Sequence, residues 1–200
     1  MTINSDEIQK YFDEYIFGFI FQDIQSCIQA QTNYTTALAL LSYTEFLGGL
    51  INGTLGLRDR SREQFNKALE FFDWNEDLAY YRNFKVKIRE VDFLDVSADI
   101  YSLFRCGLAH EYFIKTNAYV HNNPQGFTDG NGIIYPDGCL PTDAGVQKID
   151  GRLRFHNNAY FRDFKKAWRK YLHALIIEKN KNLVLKYSNS LQRVAVRRLI

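Results

Sequence analysis

The chain has 200 residues, 46% of them hydrophobic and 24% charged, a size that lets one domain bury enough apolar surface to fold without metal or disulfide staples. Its three cysteines, Cys27, Cys106 and Cys139, are odd in number and in no Cys-x-x-Cys pair. The start MTINSDEIQKYF lacks a basic and apolar leader, and no stretch approaches the roughly 18 apolar residues of a membrane span, so the expected location is cytoplasmic. The net charge of +2 hides an asymmetry, −7 over residues 1–100 and +9 over residues 101–200. Such a dipole either marks a surface that meets phosphates or an acidic partner, or comes from basic side chains solvating the outer faces of the last helices.

In chain order, Asn4 and Glu7 predict a capping pair for a first helix. Its apolar positions, from Ile8, Tyr11 and Phe12 through Tyr15, Ile16, Phe19 and Ile20 to Ile24, Cys27 and Ile28, recur at three and four as a core-facing helix requires. Asn33 is placed to cap a second helix, Tyr34 to about Ile51, with Ala37, Leu40, Leu41, Leu47 and Leu50 inward and Gly48, Gly49 and Asn52-Gly53 stopping it. Glu45, inside that apolar helix, either reaches the rim or joins a buried polar site. Ser61 with Gln64 reads as a second capping box, opening a short helix through Phe65, Ala68, Leu69 and Phe72. Phe84 to Arg89 alternates apolar and basic, as a short strand or extended linker does.

From Val91 to Phe113 the sequence reads as a helix capped by Asp92. At about 100° per residue, Phe93, Leu94, Val96, Ile100, Tyr101, Leu103, Phe104, Leu108 and Tyr112 share a broad inner side. The other side carries Asp95, Ala98, Asp99, Ser102, Arg105, Cys106, Ala109 and His110. Small residues (Ala98, Ser102, Cys106, Ala109) run along its middle, with Arg105 and His110, about 140° apart, on either flank. Such a strip invites a second helix to approach closely.

After Lys115 the composition changes. Residues 117–158 hold all three prolines and the turn signals Asp129-Gly130, Pro136-Asp137-Gly138 and Asp150-Gly151. Between them lie β-prone pieces at Ala118–His121, Ile133–Tyr135, Val146–Ile149 and Leu153–His156, the last two forming a hairpin around Asp150-Gly151. Asn157 or Asn158 then caps a helix Ala159–Glu178, with Phe161, Phe164, Trp168, Tyr171, Leu172 and Leu175 inside and Arg162, Lys165, Lys166, Arg169 and Lys170 outside. A last helix, Leu183–Ile200, buries Leu183, Val184, Tyr187, Leu191, Val194 and Leu199 and exposes Arg193, Arg197 and Arg198. The expected fold is all-α, a single domain over residues 1–200. It is a bundle of about five helices, with a β-hairpin insertion or flap (117–158) between the fourth and fifth.

Arg105-Cys-Gly-Leu-Ala-His110 is an R-x4-H pattern late in a helical bundle, and in that setting the chain resembles the HEPN superfamily (higher eukaryote and prokaryote nucleotide-binding domains). The resemblance implies a metal-independent endoribonuclease of toxin or defence type, working at the cleft of a homodimer paired through the 95–110 helix. His110 would activate the ribose 2′-hydroxyl or protonate the leaving oxygen, and Arg105 would hold the scissile phosphate. Arg162, Lys165, Lys166 and Arg169 would extend the phosphate-binding surface, and Glu45, Asp99, Ser102 and Cys106 would be supporting polar groups. Cys106 stands where many active members of the superfamily carry a polar residue, so the alternative is a silent domain that binds RNA, a nucleotide or an antitoxin-like protein. A further alternative is a structural protein whose β flap recognises a protein partner. Arg105 itself has another possible role, a bridge to Asp99 or Glu45.

No other motif points to chemistry. His110-Glu111 begins no H-E-x-x-H, because position 114 is isoleucine, and His121, His156 and His173 lack metal-ligand spacing. There is no P-loop and no G-x-G-x-x-G. No metal, cofactor or membrane partner is expected.

Overall fold

A computed structural model describes residues 4–72, 86–91, 94–98, 100–111, 118–122, 127–128, 133–135, 139–140, 142–143, 145–149 and 152–197. Among them the fold is mostly helical. In chain order the helices are α1 (Ser5–Tyr11), a π-helical segment π1 (Phe12–Ile20), α2 (Phe21–Gln29), α3 (Asn33–Asn52), α4 (Ser61–Leu69), a second π-helical segment π2 (Tyr101–Glu111), α5 (Asn157–Ile176) and α6 (Lys181–Arg197). The strands are β1 (Val86–Val91), β2 (Leu94–Ala98), β3 (Ala118–His121), β4 (Phe127–Thr128), β5 (Ile134–Tyr135), β6 (Val146–Ile149) and β7 (Arg152–His156). No helix among the described residues is long and apolar enough to cross a membrane.

The chain forms two compact units. The first comprises Met1–Asp23, Ser42–Asp73 and Phe164–Ile200; the second comprises Ile24–Leu41 and Trp74–Asp163.

The first helix begins at the expected cap: the Asn4 N–H donates to Glu7 Oε2 (3.2 Å), and the Asp6 N–H donates to Asn4 Oδ1 (3.3 Å). Six of its seven buried residues, Ile8, Phe12, Ile16, Ile20, Ile24 and Ile28, are spaced by four, and the seventh is Phe21. At 3.6 residues per turn each step of four drifts by about 40°, so five steps would carry the stripe about 200° around an ideal α-helix. Wider π turns, closed by i→i+5 hydrogen bonds, hold more residues per turn and so correct that drift. The cost falls on a neighbouring line. Tyr15 and Phe19, expected inside, are 47% and 58% exposed. With Tyr11 they form a ladder of rings, Tyr11–Tyr15 at 5.1 Å and Tyr15–Phe19 at 6.1 Å.

In the first unit, Phe12 is fully buried and touches the rings of Trp168 (5.6 Å), Tyr171 (6.1 Å) and Tyr187 (6.2 Å). Trp168 Nε1 and the hydroxyls of Tyr171 and Tyr187 are buried without a hydrogen-bond partner among the described residues. Helix α4 crosses α3 closely, because Gly48 has no side chain: a Cβ there would lie 1.6 Å from the Gln64 carbonyl oxygen. Gly48 and Gly49 therefore do not stop α3, which runs on to Asn52 before Gly53 turns at φ +73°. The Ser61–Gln64 capping box does not form. Ser61 lies inside the helix, whose cap is Arg60 without a side-chain bond, and Gln64 Nε2 instead donates to the Thr54 carbonyl (2.8 Å). Arg193, expected to be exposed, donates to the Gly53 and Leu55 carbonyls (3.0 and 3.2 Å), while Ser190 Oγ donates to the Gly49 carbonyl. These bonds anchor the 49–55 turn on α6.

In the second unit a three-stranded sheet has the order β3-β7-β6, with β3 parallel and β6 antiparallel to β7. The hairpin around Asp150-Gly151 forms as its turn chemistry predicts. Strand β7 runs straight into α5, and Asn157 Nδ2 donates to the Asn33 carbonyl (3.1 Å).

The main departure is at the motif helix, since residues 94–98 are not helical. They form β2, antiparallel to β1. Leu94-Asp95-Val96-Ser97-Ala98 alternates apolar and polar, a period of two that also fits a helical pattern over so short a run. The alternating β1 segment supplies hydrogen-bonding partners, which decides the ambiguity in favour of a strand. Asp92, Phe93, Asp99, Tyr112 and Phe113 lie outside the described residues.

Candidate functional site

The segment carrying the motif is π2, preceded by Ile100. Ile100, Tyr101, Leu103, Phe104 and Leu108 are buried as expected, and Phe104 packs on Phe155 of β7 with ring centroids 5.4 Å apart. That contact fixes π2 against the sheet of its own unit.

The opposite side differs from the expected picture. Asp95 and Ala98 belong to β2, so a pairing surface over 95–110 is not one helical face; the helical part is 100–111. Within it Ser102, Arg105, Cys106 and Ala109 are half-buried. In an α-helix, positions 105 and 110 would diverge by about 140°. A π-helix, closed by i→i+5 hydrogen bonds, winds at about 4.4 residues per turn, so five residues overshoot one turn and these two positions are about 50° apart around π2. The two positions are thus closer around the axis than α winding would set them. The His110 side chain and Asp99 lie outside the described residues. Glu45 is half-buried on α3 in the first unit.

The basic residues of α5 separate by role. Arg162 is not on an open face: its side chain is 19% exposed and its donors are spent locally. Nη1 donates to the Leu140 carbonyl (2.8 Å) and Nη2 to the Asp143 carbonyl, while Nε pairs with Asp163 (3.1 Å). This guanidinium staples the 139–143 loop to α5. Lys165 is half-buried, and Lys166, Arg169 and Lys170 are exposed.

A second group of titratable residues was not evident from sequence spacing. His121, at the end of β3, is the direct partner of His156, at the end of β7, and their rings meet edge to face at 4.9 Å. His156 is 2% exposed, with Nδ1 buried and unpartnered among the described residues, whereas His121 is exposed. Burial, reinforced by His121 and Arg154, pulls the pKa of His156 down to about 4 against a slight opposing pull from Asp143. His121 is also lowered, first by burial and then by Arg154. Both rings are therefore neutral near pH 7. Arg154 Nη2 is held by Asp143 Oδ1 (3.2 Å) and by Gln147. The two histidines are 35 positions apart in the chain, and only the parallel pairing of β3 with β7 joins them; the recurrence of a histidine at the end of two β-prone pieces was the sole hint.

Among the described residues no group of three or more His, Cys, Asp or Glu side chains is placed to hold a metal ion. The chemistry on offer is that of a guanidinium and imidazoles, suited to anion binding and proton transfer. No protein-family model matches this chain, and no curated protein or solved structure is significantly similar to it.

Proposed function

We propose that the chain is a HEPN-like, metal-independent endoribonuclease of toxin or defence type, acting through Arg105 and His110. The observation that supports this reading is the π winding of π2, which brings positions 105 and 110 from about 140° to about 50° apart around the helix axis. In such a site the imidazole takes the proton of the ribose 2′-hydroxyl as that oxygen attacks the adjacent phosphorus. The 5′-oxygen leaves and is protonated, and a 2′,3′-cyclic phosphate remains. The Arg105 fork binds the phosphate oxygens, on which charge builds in the transition state. Pairing of two copies through 100–111 would bring two such pairs into one cleft, and Lys166 and Arg169 would add to a basic surface.

Purified protein incubated with structured and unstructured RNA in EDTA tests the reading. Wild type cleaves, and His110→Ala loses at least about a hundredfold in rate, within the range general acid–base catalysis supplies. Equal behaviour of the two proteins rejects the enzyme. A second reading, favoured by Cys106 and its weak hydrogen-bonding capacity, is a silent RNA- or nucleotide-binding domain. It predicts salt-sensitive binding that Arg105→Ala weakens, with no turnover in wild type.

A further inference from the structure

The His121–His156 pair takes no part in the chemistry proposed above. We propose that it is a proton-operated clasp, which holds strand β3 on the sheet while both imidazoles are neutral and releases it on acidification.

The geometry confines the effect to one strand. Strand β3 is four residues long and, among the described residues, lies at the edge of the sheet with β7 as its one neighbour, and His121↔His156 is the last of its four pairs. At that pair the two rings are in edge-to-face contact at 4.9 Å. The next residue, Asn122, donates from Nδ2 to the Ile28 carbonyl (3.3 Å), a neutral tether that does not titrate. Protonating His156 puts a cation in a nearly closed space against a second imidazole. The charged groups around it do not compensate. Arg154 on β7 and Arg162 on α5 are cations, and Asp143, the carboxylate that acts on His156 among the described residues, is already engaged by Arg154 and by the Leu140 N–H (2.8 Å). Withdrawing β3 lets water reach the ring, so proton uptake and release of the strand are coupled. Once β3 leaves, β7 presents an unpaired edge. Phe155, the residue before the clasp, packs on Phe104 of π2, so the strand that loses its neighbour also supports the segment carrying Arg105.

The size of the effect follows from linkage. With His156 at about 4 in the closed sheet and 6.5 when hydrated, opening of β3 becomes roughly 30-fold more favourable on going from pH 7.5 to 5.0. Hydrogen–deuterium exchange of the full chain, corrected for intrinsic rates, measures this directly. Protection of residues 118–122 is expected to fall about 10- to 30-fold over that range, while residues 146–149 on β6, across β7 from β3, keep theirs. In His156→Phe, which retains an aromatic ring, most of the pH dependence of protection at 118–122 should be lost, leaving only what His121 contributes. His121→Gln gives a second readout: removing the neighbouring imidazole should raise the NMR titration midpoint of His156. The clasp is rejected by pH-independent protection of β3 in wild type, by equal loss across β3 and β6, or by an unchanged His156 midpoint in His121→Gln.

Discussion

Gly48 offers the sharpest test of how the first unit is assembled. Replacing a glycine inside a helix by alanine normally stabilises by roughly 0.5–1 kcal/mol, because glycine loses more backbone freedom on folding. At position 48 the new Cβ would stand 1.6 Å from the Gln64 carbonyl oxygen, 2.4 Å from its carbon and 3.1 Å from the Ala68 nitrogen. Real contacts of this kind begin near 3.0 Å, so α4 must retreat by at least about 1.4 Å, and the obstacle is backbone that cannot rotate away. Retreat loosens Phe65 and Ala68, both fully buried, and stretches the Gln64 bond to Thr54. Overpacking costs about 1–3 kcal/mol and here exceeds the entropic gain, so Gly48→Ala should destabilise by about 1–3 kcal/mol. Urea unfolding followed by far-UV circular dichroism would show a lower midpoint, and thermal unfolding a fall of about 2–4 °C per kcal/mol for a chain of this size. Gly49→Ala is the control. Its Cβ would meet the flexible Leu55 Cδ1 at 3.1 Å and Leu55 Cα at 3.3 Å, so it should be near neutral. If Gly48→Ala is as stable as wild type, α4 does not cross α3 at this point and the packing described for the first unit is wrong.

Three other outcomes follow from single side chains. His156 has a folded pKa below its unfolded one, so the unfolded chain takes up the proton first. Its contribution to stability is intact above pH 6.5 and declines as pH falls from 6.5 to about 4, an acid loss of about 3 kcal/mol that denaturant titrations at several pH values should show and His156→Phe should lack. Arg193→Met keeps the aliphatic stem but deletes the donor to the Gly53 and Leu55 carbonyls; a loss of about 1–2 kcal/mol in urea unfolding is expected, and no loss would mean the 49–55 turn holds without it. Tyr187→Phe removes a buried hydroxyl with no partner among the described residues, so stability should stay level or rise by up to about 1 kcal/mol, and a marked loss would reveal a hydrogen bond at that oxygen.

What the sequence alone determined about this protein is what neighbours in the chain decide. The Asn4–Glu7 cap, the apolar stripes of α3 and α5, the buried side of π2 and the hairpin around Asp150-Gly151 depend on residues a few positions apart, within reach of periodicity and turn chemistry. Tertiary structure decided whatever needed a distant partner. Residues 94–98 pair with β1 because an extended neighbour was available, though their pattern suited either state. The stripe spaced by four in the first helix showed which residues are buried, yet only packing made its turns wide enough to keep them aligned and left Tyr15 and Phe19 outside. Gly48, read locally as a helix stop, is a site of close approach, and Arg162 and Arg193, read as solvated cations, satisfy loop carbonyls far along the chain. The candidate chemistry divides in the same way. The spacing from Arg105 to His110 is written in the sequence, but the angle between the two positions is set by π winding, and His121 meets His156 only through a parallel strand pairing that no local pattern encodes.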